Sequence, residues 1–205
     1  MRSATEQYDQ APRGQPQQAR SRDKLDRILT ATAQLLEELP YDEVGTRLIA
    51  ERAGVSVGSL YRFFPDKGSI VQALLVGWLE DFVGILDRAA GGELPDRLSA
   101  FIEQIIDSCA EFFRREPGFQ NAFYHGQRSP ELKEAQRRND YDLSARLYDL
   151  LRTGYGLLDP GLETRCLIAV QVLDYLLGLA FRDNRGGDRT VLDEAKRLLC
   201  LYLGA

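Results

Sequence analysis

The chain has 205 residues, 44% of them hydrophobic and 28% charged, with a formal net charge of −5. That is enough apolar material for a substantial core, held in one large domain or in a small one joined to a larger one, and it excludes a disordered or collagen-like chain. The longest apolar run, 166–181, is broken by Gln171 and Asp174 and reads as too short and too polar to span about 30 Å of hydrocarbon. No charged segment followed by an apolar one opens the sequence, so a cytoplasmic protein without a membrane partner is expected. Cys109, Cys166 and Cys200 are widely spaced and each lies in an apolar helical pattern. They read as buried free thiols rather than disulfides or a zinc site, and neither metal nor cofactor is expected.

Residues 1–19 are rich in Gln, Pro, Gly and Arg without an apolar period and read as a flexible arm. Helical periodicity dominates from there, which predicts an all-α fold of about nine helices divided into a head, 20–66, and a larger body, 67–205. A first helix is expected over 21–39, with Leu25, Ile28, Leu29, Thr32 and Leu36 on one face and Pro40 closing it. Thr46 is a candidate cap for a short helix at 47–53 ended by Gly54, and Ser56 for a second at 57–64 ended by Pro65. Asp66 then caps a long fourth helix, about 67–89, with an apolar stripe running from Ile70 through Trp78 to Ile85. Beyond Gly91-Gly92, helices are expected at 95–115, 117–124, 130–153, 160–181 and 190–203. Four of these start on Pro, with Ser129 and Asp159 as caps for two of them. No internal repeat marks a solenoid.

The stretch from Thr46 to Lys67 is the most informative. Two short helices can cross steeply only if the residue at the crossing is small and the turn tolerates positive φ, and Ala50 and Gly54 meet these needs. Ile49, Ala53, Val55, Leu60 and Phe64 are spaced to face inward, leaving Arg47, Val57, Gly58, Ser59, Tyr61 and Arg62 outside. A helix with small residues at its N-terminal end can enter a major groove about 12 Å wide, where base edges carry a distinct donor and acceptor pattern. Helix starts at Thr46 and Ser56 would turn amide groups toward phosphates. The net charge does not oppose such contact. Residues 1–70 hold ten Lys/Arg and ten Asp/Glu, so the deficit lies entirely in the rest of the chain. Lys67 sits in a first helical turn, where the dipole disfavours a cation, and a phosphate partner is its expected explanation.

The run Thr-x-x-Ile-Ala-x-x-Ala-Gly-Val-Ser-x-Gly-x-Leu-Tyr-x-x-Phe-x-x-Lys, from Thr46 to Lys67, resembles the N-terminal signature of the tetracycline-repressor (TetR) family. The resemblance covers about 25–85 well. It implies a helix-turn-helix that binds double-stranded DNA at a palindromic operator, a homodimer, and a C-terminal body that takes a small-molecule effector. It further implies phosphate contacts by Thr46, Tyr61 and Lys67 and base contacts by Arg47, Val57, Gly58 and Ser59, to which Ser56 and Arg62 are added from the residue pattern. Many relatives carry His where this chain has Phe63, so Phe63 is left out of the contact set.

An enzyme would need a nucleophile with its base, a metal cluster or a phosphate-cradling loop. With one His and no paired motif, none is expected. A constitutive DNA-binding regulator is the alternative, but it leaves roughly 135 residues of acidic helical body unused. The expected function is therefore a repressor released by a small apolar or aromatic effector. Its cavity is expected to involve Trp78, Phe82, Phe113, Asn121, Phe123, Tyr124, His125, Gln171, Asp174 and Tyr175, the polar members serving as anchors. Asp174, three residues from Gln171 in an apolar helix, either meets a partner across a dimer seam or lines the cavity, where it would favour a cationic ligand. The seam is expected along 160–181 and 190–203, through Leu167, Val170, Leu177, Gly178, Leu198 and Leu201.

Overall fold

The computed structural model describes residues 15–126 and 130–205, and within them every side chain except those of 15–18, 123–126, 130–132 and 135. The side chains of Phe123, Tyr124 and His125, the candidate cap Ser129 and arm residues 1–14 lie outside the described residues. The described residues form nine α-helices and no strand: α1 Gln15–Glu38, α2 Thr46–Arg52, α3 Val57–Tyr61, α4 Lys67–Gly91, α5 Leu98–Arg115, α6 Pro117–Gly126, α7 Pro130–Gly154, α8 Leu162–Phe181 and α9 Arg189–Leu203. A 3-10 turn, Tyr41–Glu43, follows α1.

Helix α1 starts six residues before the expected 21, inside the stretch read as an arm. Gln, Ala and Arg there are good helix formers, and Pro16 falls in the first turn, where its missing N–H removes no helical bond. Its buried positions Ile28, Ala31, Thr32, Leu35 and Leu36 keep the helical period. Gly45, not Thr46, is the N-cap of α2, so Thr46 is its first helical residue. Ser56 caps α3 as expected, accepting from Ser59 N at 3.1 Å. The helix ends at Tyr61, short of the expected 64, because Pro65 disfavours helical backbone just before it. Asp66 caps α4 in a reciprocal capping box: its Oδ1 accepts from Ser69 N at 2.7 Å, and its own N–H donates to Ser69 Oγ at 3.3 Å. Proline opens α6 and α7 but not α5 or α8, which begin at Leu98 and Leu162.

One apolar cluster joins the head to the body. Ile28, Leu35 and Leu36 of α1 pack with Ile70, Val71 and Trp78 of α4 and Phe119 and Ala122 of α6. Helix α6 lies so close to α1 that a Cβ on Gly118 would come within 2.7 Å of Ala33 O. Phe112, Phe113 and Phe119 stack edge-on with ring centroids 5.3–6.2 Å apart, and Phe82 meets Phe112 edge-on at 5.6 Å. A second cluster fills the bundle of α4, α5, α7, α8 and α9, around Phe101, Ile106, Leu151, Cys166 and Leu199. Cys109 and Cys166 are buried free thiols and Cys200 a half-buried one.

By length and mean hydropathy, 1.6 and 1.5, α4 and α8 are long and apolar enough to cross a membrane, which corrects the reading of 166–181 as too short and too polar. In the fold each gives one face to the core, with Ile70, Leu75 and Ile85 buried on α4 and Cys166, Ala169 and Leu177 on α8.

Candidate functional site

The head is built around one sharp turn. Gly54 adopts φ +63°, a conformation that costs Gly little and a residue with Cβ considerably more. Gly54 N donates to Glu51 O at 3.1 Å and Val55 N to Ala50 O at 3.0 Å, so α3 is turned across α2. Ile49 and Leu60 are fully buried at the crossing, with Ala50, Ala53 and Phe64 around them. Arg47, Ser56, Val57, Gly58, Tyr61 and Arg62 are exposed and Ser59 half-exposed. A Cβ on Gly58 would meet nothing within 4 Å, so the start of α3 is open to close approach by another molecule. The hydroxyls of Thr46 and Tyr61 lie 3.1 Å apart, bringing together two residues from different helices. Arg52 grips Glu38 with two hydrogen bonds of 2.8 Å, fixing α2 to α1. Arg47 and Arg62 form no ion pair among the described residues.

Lys67 needs no phosphate to explain it. Its Nζ donates to Tyr41 O at 2.8 Å and sits 4.0 Å from the centre of the Tyr41 ring. A backbone carbonyl and a cation–π contact therefore offset the unfavourable position at the helix start.

Within the bundle, the helices enclose a cavity of about 90 Å³. Its walls are apolar, with Phe82 from α4, Phe101 and Ile105 from α5, Phe119 from α6, Leu143 from α7 and Leu173 from α8. Its polar lining is Gln136, Asn139 and Asp140 from α7 and Asp174 from α8. Of the residues expected at a cavity, Phe82 and Asp174 line this one and several others do not. Trp78 turns its Nε1 to Glu116 Oε2 at 3.1 Å and packs edge-on against Phe119. Phe113 packs on Phe181 with ring centroids 5.2 Å apart. Tyr175 is 66% exposed. Gln171 lies outside the lining but donates to Asp140 Oδ2 at 3.4 Å. Sequence reasoning missed Gln136, Asn139 and Asp140, although they continue at helical spacing the stripe that holds Leu143 and Leu147.

Burial, and secondarily the charge of Asp140, pushes the Asp174 carboxyl up to about 7. Burial also raises Asp140, against the hydrogen bond from Gln171. Below the ordinary value of 3.8, Asp174 is protonated whether the chain is folded or not, so it contributes nothing to pH dependence. Between 3.8 and about 7 the folded chain keeps a proton that the unfolded chain releases. Stability is therefore lost as pH rises across that window, and the full penalty stands above it. Asp174→Asn is expected to raise Tm over the parent at pH 8 and to change it little at pH 4. An equal shift at both pH values in thermal melts would contradict this assignment.

Asn121 is not at the cavity. Its Nδ2 donates to Leu36 O at 3.0 Å and Leu39 O at 2.7 Å, and its Oδ1 accepts from Tyr41 N at 3.3 Å. A side chain of α6 thus satisfies the C-terminal end of α1, where helical carbonyls lack partners. Phe119, two residues earlier, lines the cavity. One short helix therefore touches both the cavity and the head.

The expected seam also changes. Leu177 and Gly178 are buried within their own chain, and Val170 lines the cavity. Of the residues expected there, Leu198 and Leu201 on α9 are exposed, while the exposed large apolar residues of α8 are Ile168, Tyr175 and Leu179, spaced along one face.

A helix-turn-helix head carried on a helical body of this kind defines a DNA-binding transcription regulator. Residues 28–74 match the family described as "Bacterial regulatory proteins, tetR family", and residues 96–205 the one described as "Tetracyclin repressor-like, C-terminal domain". The chain belongs to the TetR family. A TetR-family transcriptional regulator from Streptomyces coelicolor is similar throughout, with 33% identity, a TM-score of 0.67, and 88% of this chain and 98% of that one covered. The HTH-type transcriptional repressor KstR of Mycolicibacterium smegmatis is 37% identical over 86 residues, which is 41% of this chain and 42% of KstR. The chain thus spans less than half the length of that curated relative. The HTH-type transcriptional regulator BetI of Stenotrophomonas maltophilia is 25% identical over 186 residues, 88% of this chain and 91% of BetI. These relatives are named as regulators, in line with the expectation that the chain is not an enzyme.

Proposed function

We propose that the protein represses transcription as a two-fold dimer on a palindromic operator and leaves it when a small, mainly apolar effector enters the bundle cavity. The observation that carries this reading is the placement of α6, with Phe119 in the cavity wall and Asn121 bonded to the end of α1. An effector pressing on Phe82 and Phe119 would shift α4 and α6 together and change the spacing of the two heads. In the DNA-bound state α3 enters the major groove, with Arg47, Val57, Gly58 and Ser59 at base edges and Thr46, Ser56, Tyr61 and Arg62 at phosphates. The half-sites lie about 34–36 Å apart or somewhat wider. Lys67 is assigned first to holding the turn through its bond to Tyr41 O, and a phosphate contact would use its remaining N–H donors.

Selection of bound DNA from a random pool with the full chain tests the reading, and a palindromic consensus is the expected result. Arg47→Ala is expected to relax base preference at one position of each half-site and to cost about 1–3 kcal/mol there. If affinity fell while the selected sequence stayed the same, Arg47 would be a phosphate contact.

A further inference from the structure

The polar end of the cavity constrains what the effector must carry. Asp140 and Asp174 face a chamber whose other walls are almost wholly apolar. Among the described residues each carboxylate has one side-chain amide donor: Gln136 Nε2 reaches Asp174 Oδ2 at 3.1 Å, and Gln171 Nε2 reaches Asp140 Oδ2 at 3.4 Å. An ionised carboxylate offers about four acceptor sites, so both keep capacity to accept from a ligand. Among the described residues no Arg, Lys or His lines the chamber. The charged groups of the flanking elements, Glu80 on α4 and Glu134, Arg138, Asp142 and Arg146 on α7, line an outer groove instead. From α5 the one titratable group facing in is Cys109, whose thiol burial pushes up to about 12, so it stays neutral. Phe119 of α6 and Leu199 and Leu203 of α9 add no charge. Two carboxylates in such a chamber without a counter-cation are unfavourable, and a ligand that brings one relieves them.

We propose that the effector is a lipophilic primary or secondary amine, bound as its ammonium with N–H groups shared between Asp140 and Asp174 and its apolar body along Phe82, Ile105 and Leu173. This rests on the reading of the cavity as the effector site. A quaternary head is disfavoured because it has no N–H to give to the carboxylates or to the amide oxygens of Gln136 and Asn139. The raised Asp174 adds a consequence. Near neutral pH the carboxyl is part protonated, and an arriving ammonium favours its ionised form. One proton therefore leaves Asp174 for the buffer as the ligand binds, up to one per site.

The test uses the full chain with four probes of matched tail: hexylamine, hexanol, hexanoate and hexyltrimethylammonium. Thermal shift and calorimetry are run at pH 6 and pH 8, in buffers of different ionisation enthalpy. Hexylamine is expected to raise Tm and to bind roughly tenfold or more tighter than the other three, as charge-assisted hydrogen bonds imply. Its binding should release protons at pH 6 and strengthen from pH 6 to pH 8. Asp140→Asn and Asp174→Asn should each weaken hexylamine about tenfold, while hexanol changes by no more than about twofold. Preference for hexanol or hexanoate, equal binding of hexyltrimethylammonium, amine binding indifferent to both variants, or no response to any probe would overturn the proposal. Should either variant fold poorly, probe selectivity and proton release in the parent still decide. Release of selected DNA, read by fluorescence anisotropy, separates the two readings. Hexylamine that binds as described but leaves DNA bound keeps the amine site and removes the effector role, whereas hexanoate that binds and releases DNA does the reverse.

Discussion

Tyr175→Glu combined with Leu201→Glu is expected to give a monomer on a sizing column and to lower operator affinity by about 10²–10⁴, the gain that linking two binding heads supplies. Tyr175 is 66% and Leu201 73% exposed, so charges there should leave the fold of the single chain intact. Ile168 and Leu179 on α8 and Leu198 on α9 are exposed apolar residues on the same two helices. Apolar area of this kind contributes about 25 cal/mol per Å² when removed from water, and a few such side chains per protomer, doubled by the two-fold axis, dominate a dimer seam. Two carboxylates facing their own symmetry mates would reverse that gain. Gly178→Glu, which sequence spacing alone suggests, would misreport: Gly178 is buried inside its own chain, so a charge there lowers Tm whether or not it touches a partner. An unchanged dimer in the double variant, with Tm intact, would remove this face of α8 and α9 from the interface.

The head was readable in the sequence because its determinants are local. Ser56 bonds to Ser59, Asp66 to Ser69, Gly54 to Glu51 and Val55 to Ala50, all within five residues. The body was readable as helices but not as partnerships. Periodicity identifies the apolar face of a helix and is silent on what that face meets, so Trp78 and Phe113 read alike as cavity wall or packed core. The contacts that shape the head and the cavity span long separations. Lys67 and Tyr41 are 26 residues apart, Gln136 and Asp174 are 38, and Asn121 and Leu39 are 82. Asp140 gave no sign of its role because an acidic residue in a polar helix is ordinarily a solvated one; only the approach of α8 puts Asp174 beside it.

Asn121→Ala is expected to lower stability by about 3 kcal/mol and to weaken the effector's hold over DNA binding. The substitution deletes two donated bonds and one accepted bond at the end of α1, and each part-buried group left unpaired costs about 1 kcal/mol or more. Stability alone would not distinguish this residue from any other buried asparagine, so the informative readout is the ratio of DNA affinities with and without effector. Gly118→Val addresses the same seam independently: the added Cβ would sit 2.7 Å from Ala33 O and force α6 off α1. Both variants should move the affinity ratio toward one while the effector still binds, because the cavity lining apart from Phe119 lies on other helices. Asn121→Asp sharpens the argument, since it keeps an oxygen for Tyr41 N but turns a carboxylate toward the carbonyls of Leu36 and Leu39. It should therefore be worse than Asn121→Ala in both stability and coupling. If Asn121→Asp and Asn121→Ala destabilise the chain yet leave the affinity ratio at the parent's value, the link from cavity to head does not run through α6.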